Sequence, residues 1–560
     1  MSGDTMTYDM AQASEGTSQI FLKKDWLNIL DNQSGNYRGS QSVIDTSQLA
    51  NSNKYMNYRE AYLAVPMVLS LTGTALLGPD ASLNSVDYGI GLKNWFGSII
   101  HSFTLDVGGT TIIQQTPFSG LWNSFKLMSS LSWDDVATIG ASIGFYPDNA
   151  LSVSFSAAAN IDGVGTCNNQ NHLAFPVVTG VDNSYDVAND GFLRRQQYIN
   201  YDAAGLTAPS SAPFSSLLTQ AACDQVYKSH IFKKAYAGGA GCIQHAIMAV
   251  IQLKHIHSFF QNIPLLKGVF MKATLNLNQP QVELSVSAGK ALTIVSTNSP
   301  LGGVVPIMLS SARGNNGLSA VGAGNLYASL FVGNQVTWTA QTAQGAVNSS
   351  FTQSINLYVP SYTFNSVFEQ AYISNPVKRI VYTDIYQYLV SNVGANANFN
   401  NLITNGIAGI KSVLVLPFYT ATANGGTAPI QSVFDPAGAG PTSPLVPLSN
   451  FNVVVSGQNM IYNTQKYSGY EQFMNQYYGC CSVNAGMTDG LTSGFINQLS
   501  FDLEHNYYYV NTSRMLPVEE PVPKSVSIIG QNLSAKAVDL YVFIEYGVEI
   551  QIDVLSGNRV

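Results

Sequence analysis

The chain has 560 residues, 46% hydrophobic and only 10% charged, with a net charge of −8; an average domain carries roughly 25% charged residues. That much apolar material excludes a disordered chain, and the acidic balance argues against nucleic-acid binding, which runs on neutralisation of phosphates by Lys and Arg. Polarity comes instead from Asn, Gln, Ser, Thr and Gly, alongside 30 Tyr and 26 Phe, a surface that costs less to bury against another subunit than Lys or Glu would.

Residues 1–40 are polar apart from an apolar piece around Ile20–Leu30, and they read as an N-terminal arm ordered on assembly. Lys23, Lys24 and Arg38 are offset there by Asp4, Asp9, Glu15, Asp25 and Asp31, so no basic arm is present to condense a genome. The first residues show neither the basic region nor the apolar core of a secretory signal. Apolar runs such as 246–251 are too short to span a bilayer, so no transmembrane segment is expected.

Strand patterns follow at 42–49, 62–71 and 95–107. Phe103, Leu105 and Val107 alternate with Thr104 and Asp106, the period of a half-buried strand. Gly108-Gly109 supplies the positive φ of a tight hairpin turn. A second short strand comes next, and then Leu121, Phe125 and Met128 fall on one helical face. This unit occurs twice. Phe103, Val107, Gly109, Ile113 and Thr116 match Phe451, Val455, Gly457, Ile461 and Thr464 at one offset (451 − 103 = 348). Ser456-Gly457 repeats the turn, and Tyr470, Phe473, Met474 and Tyr477 repeat the helical face. Two copies of one β-domain fit the length, since large β-sandwiches run to roughly 200–250 residues.

Between the copies, 148–190 reads as long surface loops. A strand at 243–253, a helical turn at 255–263 and a strand at 269–277 come next. Residues 279–345 are rich in Gly, Ser and Ala and read as loop, with a domain boundary near 345. The second half shows strands at 355–359, 379–388 and 410–419, then the repeat, and finally 495–503, 525–529 and 538–554. The fold class is mostly β, two tandem β-sandwiches with short helices in the connections. The arm spans 1–40, the first sandwich 41–345 and the second 346–560.

Chemical motifs are weak. Gly140-Ala141-Ser142-Ile143-Gly144 matches the nucleophile elbow of serine hydrolases, but a proline-containing loop follows where that motif needs a helix. His255 and His257 would share a face on a strand, with His245 one strand-length upstream, but a metal site needs three or four convergent ligands and no nearby acidic or Cys set completes one; capping of the turn before Phe259-Phe260 is the simpler role. Asp134-Asp135 diverge as neighbours on a helix and mark a solvated helix face or a helix start. Gly89-Ile90-Gly91 and Gly322-Ala323-Gly324 lack the third glycine of a dinucleotide loop. Cys167, Cys223, Cys242, Cys480 and Cys481 form neither a disulfide framework nor a zinc motif. The sequons at Asn32, Asn348, Asn511 and Asn532 are expected from composition alone. No catalytic, cofactor-binding or metal residue is assigned, and no cofactor is expected.

The segments 40–73, 251–278, 357–388 and 524–546, in that order, resemble the double jelly-roll major capsid proteins of eukaryotic DNA viruses, in particular those of polinton-like viruses and virophages. The resemblance covers nearly the whole chain outside 148–240 and 279–345, and rests on no short signature. It implies two eight-stranded jelly rolls per chain and homotrimeric, pseudo-hexagonal capsomers that tile an icosahedral shell. The implied role is structural, without catalysis. The implied partners are further copies of the chain, penton and minor capsid proteins, and the implied location is the virion. A carbohydrate-binding or glycoside-processing β-sandwich, or a hydrolase using Ser142, are the alternatives left open by the residues.

Overall fold

A computed structural model describes residues 19–73 (except 38 and 51), 89–147, 241–286, 292–309, 324–333, 354–422, 427–433, 446–461, 506–512 and 522–560. It also describes short pieces between 166 and 235 and residues 495, 496 and 501. The first strands are β1 (Phe21–Leu30), β2 (Gln41–Asp45), β3 (Tyr62–Gly73), β4 (Ile100–Val107) and β5 (Thr110–Ile113). Helices α1 (Ser119–Ser130) and α2 (Trp133–Ile143) follow, then β6 (Gly241–Gln252) and the single helical turns α3 (Leu253–Ile256) and α4 (Phe259–Asn262). After β7 (Met271–Leu277) come β8 (Gln281–Val286), β9 (Leu292–Asn298), β10 (Gly324–Val332) and β11 (Asn356–Phe364).

Helix α5 (Ser366–Ile373) leads to the second half. Its strands are β12 (Val377–Val393), β13 (Asn398–Ile407), β14 (Ile410–Tyr419), β15 (Leu448–Val455), β16 (Gln458–Asn459), β17 (Tyr508–Asn511), β18 (Lys524–Asn532) and β19 (Val538–Asp553).

Strand order identifies the architecture. In the second half one antiparallel sheet runs β12-β19-β14-β17 and the other β13-β18-β15-β16. Lettered B to I along the chain, these are B-I-D-G and C-H-E-F, the interleaving of an eight-stranded jelly roll. The first half repeats it. β2-β7-β4-β5 is its C-H-E-F sheet, and β1 pairs β11, β11 pairs β3, and β3 pairs β6. The fold is therefore mostly β with two jelly rolls, as the sequence implied.

Several expectations change. Phe21–Leu30, assigned to an arm, is a full strand that pairs with β11 from Phe21↔Phe364 to Leu30↔Asn356. Its alternation is masked by Lys23-Lys24 beside Phe21-Leu22. By the same pairing β11 joins the first sandwich's sheet, which therefore continues past residue 345 to Phe364. The chain passes between sandwiches at α5. The stretch 279–345 holds β8, β9 and β10, which extend the first sheet beyond β3; Gly and Ser there conceal strands whose inward residues, such as Val282, Leu284, Leu326 and Leu330, are fully buried. Asn-rich β13 gave no apolar run, because Phe399, Ile403 and Ile407, spaced four apart, are the residues that pack on the core.

The repeated unit is the E-F hairpin of each sandwich. Gly108 and Gly109 have φ 57° and 81°, and Ser456 and Gly457 have 49° and 81°, the two successive positive φ values of a type I′ turn. The helix expected after the second hairpin lies outside the described residues, as do the loops expected at 148–190, apart from the short piece at 166–167.

Burial explains the apolar strands. Along β19, Val538, Leu540, Val542 and Ile544 enter the second sandwich's own core. Tyr541 and Phe543, on the opposite face, join the cluster centred on the first sandwich. β14 divides likewise, Val413 and Val415 inward against Leu414, Leu416 and Phe418 outward. A strand buried on both faces reads as a continuous apolar run rather than an alternation.

Candidate functional site

The most elaborated region is the seam where the outer B-I-D-G face of the second sandwich meets α1, α3, α4 and the E-F hairpin of the first. Helix α1 buries Leu121, Trp122, Phe125 and Met128. Phe125 lies against Tyr507 and Tyr509, with ring centroids 5.2 and 5.7 Å away. Trp122 reaches Phe543 at 6.3 Å and Phe118 reaches Tyr541 at 5.0 Å. Such rings carry a large share of contact energy, beyond what their buried area supplies.

Polar groups fix the register of these surfaces. The Tyr382 hydroxyl donates to the carbonyl of Ile112 at 2.9 Å, and Thr116 Oγ1 donates to the carbonyl of Ile385 at 3.0 Å. Ser258 Oγ donates to the carbonyl of Thr383 at 2.6 Å, and Asn262 Nδ2 donates to that of Val381 at 2.8 Å. At the C-terminal end, the amide of Lys267 donates to the carbonyl of Val554 at 3.0 Å.

Asp384 is the polar hub. One carboxylate oxygen faces His257 Nε2 at 3.3 Å and accepts from the Ile385 amide at 2.8 Å; the other accepts from the Tyr546 hydroxyl at 3.3 Å. His257 Nδ1 accepts the Phe259 amide at 3.2 Å, so the ring proton sits on Nε2 and points at Asp384. Burial first, and then the Asp384 charge, push the phenols of Tyr382 and Tyr546 up. An Asp–His pair suggests a catalytic dyad, but both ring nitrogens are engaged, leaving none to activate a nucleophile. The pair is a structural clamp. His257 thus caps the turn before Phe259-Phe260, as its position predicts.

A cavity of about 280 Å³ opens along this seam, lined by Trp122, Lys126, Lys254, His255, Thr383 and Glu545 among others. Lys126 Nζ lies 3.5 Å from Glu545, whose other oxygen accepts from Ser412 Oγ at 2.8 Å. Burial, reinforced by the Lys254 charge, lowers the His255 imidazole to about 4.

The remaining sequence candidates disperse. Ser142 lies in the last turn of α2 and donates to the carbonyl of Ile139 at 2.7 Å, with Gly144 as the left-handed C-cap. No strand feeds into it, so the elbow is absent and the Ser142 hydrolase reading fails on geometry. Asp135 closes a capping box with Ser132; the Ser132 amide and then its hydroxyl hold the carboxyl below its ordinary range. The Asp134-Asp135 pair therefore is a helix start. Gly89–Leu92 is a short strand, and Gly324 opens β10.

His245 lies on β6 opposite Leu69, away from the turn that holds His255 and His257. Cys167 and Cys242 lie in strands, while Cys223, Cys480 and Cys481 are outside the described residues. Asn532 is fully buried, and its amide donates to three backbone carbonyls, so that sequon is closed to modification in the fold. Among the described residues no three His, Cys, Asp or Glu side chains gather to hold a metal, and no helix is long and apolar enough to cross a membrane.

No protein-family model and no curated protein sequence matches the chain. Among solved structures it is similar to a chain of the Sputnik virophage (10% identity, 97% of this chain and 89% of that one, TM-score 0.49). It is similar to the Faustovirus major capsid protein (10%, 97% and 96%, 0.44) and to the mavirus major capsid protein (10%, 97% and 91%, 0.41). At such identities the likeness concerns the path of the chain. The jelly-roll order rests on this chain's own strand pairing.

Proposed function

We propose that the chain is the major capsid subunit of an icosahedral DNA virus, acting structurally and without catalysis. Three copies close into a ring of six sandwiches, and these pseudo-hexagonal capsomers tile the shell of the virion after assembly in the host cell. Neighbouring capsomers, penton proteins and minor capsid proteins are the partners; sequence-specific nucleic-acid contacts are not.

One observation carries the proposal. Two sandwiches of identical strand order are fixed side by side, the B-I-D-G sheet of the second buried against the first. Two near-equivalent units per chain in a closed three-fold ring give six near-equivalent sides, the geometry a hexagonal tile needs. A seam built from aromatic packing and buried polar clamps holds that relation rigid, as a repeating tile requires.

Light scattering behind a sizing column tests it. A trimer has a mass of 180.6 kDa, three times 60.2 kDa, and negative-stain images of the peak should show a hexagonal outline. A stable, folded species at 60.2 kDa overturns the proposal.

A further inference from the structure

The seam encloses a space that its own side chains do not fill. The cavity measures about 280 Å³, at the small end of the range for small-molecule sites, which begins near roughly 300 Å³. A single water takes up only about 30 Å³, so the space suits one small organic molecule. Its walls come from both sandwiches: α1 and α3 on one side, Thr383 and Ile385 of β12 and Glu545 of β19 on the other.

The charged groups around it differ in what they are left to do. Glu545 commits both carboxylate oxygens inside the protein, one facing Lys126 Nζ at 3.5 Å and the other accepting from Ser412 Oγ at 2.8 Å. Lys126 is thereby partnered. Asp384, behind His257, is engaged by that imidazole, by the Tyr546 hydroxyl and by the Ile385 amide. Lys254 differs: among the described residues its ammonium makes no hydrogen bond and no ion pair, and its charge falls on the imidazole of His255.

His255 lines the same cavity, and its Nε2 is buried without a hydrogen-bond partner. A buried polar atom in that state calls for a partner from outside the fold. Burial first, and then the Lys254 charge, keep the ring neutral down to about 4; an anion held between the two would favour the protonated ring against both. Beside these groups the wall is apolar, with Leu127, Ile256 and Ile385 at most 8% exposed. A few convergent polar groups set in an apolar lining are the usual make-up of a ligand site.

We propose that the seam cavity binds a small organic oxyanion, a phosphate or carboxylate carried on an apolar body. Lys254 and His255 take the charged group, and Leu127, Ile256 and Ile385 take the body. Such a ligand touches both sandwiches at once, so its binding energy adds to the stability of the seam. The inference goes beyond the capsomer reading and does not depend on it.

The test is calorimetric titration of the full chain at pH 7 and low ionic strength with phenyl phosphate, benzoate and phenol. The expected result is one site per chain for at least one of the two anions, with phenol at least tenfold weaker. The tighter anion tells phosphate from carboxylate. Lys254→Met should weaken that anion at least tenfold, while Lys272→Met, at an exposed position of β7, leaves it unchanged. Two anions that fail to bind, phenol that binds equally well, or an unchanged affinity in Lys254→Met each overturn the proposal. Should Lys254→Met not fold, the wild-type protein decides. The tighter anion at saturation is expected to slow acetylation of Lys254 by acetic anhydride at least fivefold relative to Lys272, and equal rates overturn the inference. None of these readouts depends on particle mass, so a monomer that binds the anion removes the capsomer reading alone.

Discussion

The two E-F hairpins share a turn geometry and differ in what lies above it. Gly109 and Gly457 both have φ 81°, and a Cβ on either would meet nothing within 4 Å. The preceding position separates the copies. A Cβ on Gly108 would lie 2.4 Å from the carbonyl oxygen of Gly557, because the C-terminal segment of the second sandwich folds back over the first hairpin. The second hairpin carries Ser456 at the equivalent place, with φ 49°. One copy of the turn is a surface feature. The other is part of the seam, and its sequence is narrowed accordingly. The lesson extends to the whole duplication: strand order is common to both halves, while side chains diverge wherever one half touches the other.

The sharpest way to break that relation is at the centre of the seam. Phe125 is 2% exposed and packs on Tyr507 and Tyr509. Phe125→Ala is expected to cost about 3–5 kcal/mol, read as a shift in the midpoint of urea unfolding. If the seam holds two otherwise independent jelly rolls, the transition should also split into two. A single transition with little shift would show that α1 does not carry the contact.

Much of this was legible in the sequence. The repeat located both E-F hairpins, because glycine at positive φ and period-2 alternation are local signals that no tertiary contact overrode. β3, β6, β7, β14 and β19 were visible as apolar runs. The hub was not. Asp384 sits inside β12, between Val381 and Tyr386, where apolar neighbours conceal one buried carboxylate, and its partners His257 and Tyr546 lie 127 and 162 residues away. Only the topology brings them together. β1 was missed for the opposite reason: Trp26 and Leu30 on its outward side are large and apolar, so it never showed a clean alternation of apolar and polar sides.

A second prediction separates the seam from the sandwich cores by pH. The unfolded chain protonates His255 from its ordinary 6.5 downward, whereas the folded chain holds out until about 4. A folded value below the unfolded one means that the native state binds fewer protons across this window. Stability therefore falls as pH drops from about 6.5 to 4 and levels off below it, by up to roughly 3 kcal/mol from this group. His101, buried and likewise lowered by burial, adds in the same direction. The groups lining the cavity with His255 include Lys254, Lys126, His257 and Glu545. His255→Gln should flatten the pH dependence of the melting temperature in that window while leaving the behaviour above pH 7 nearly unchanged. An unaltered slope would place the acid sensitivity elsewhere.

The smallest effect tests the hairpin comparison itself. Gly108→Ala must hold alanine at φ 57° and also displace the carbonyl of Gly557, so a loss of about 2–3 kcal/mol is expected, the left-handed conformation accounting for roughly 1–2 of it. Gly457→Ala meets the left-handed cost alone and should lose only about 1–2 kcal/mol. Removing residues 555–560 takes away the carbonyl that Gly108 avoids. In that background Gly108→Ala should fall to the cost of the left-handed conformation alone, about 1–2 kcal/mol. A Gly108→Ala cost that is unchanged by the truncation would mean that the backbone of the hairpin, not the tail folded over it, selects glycine at this position.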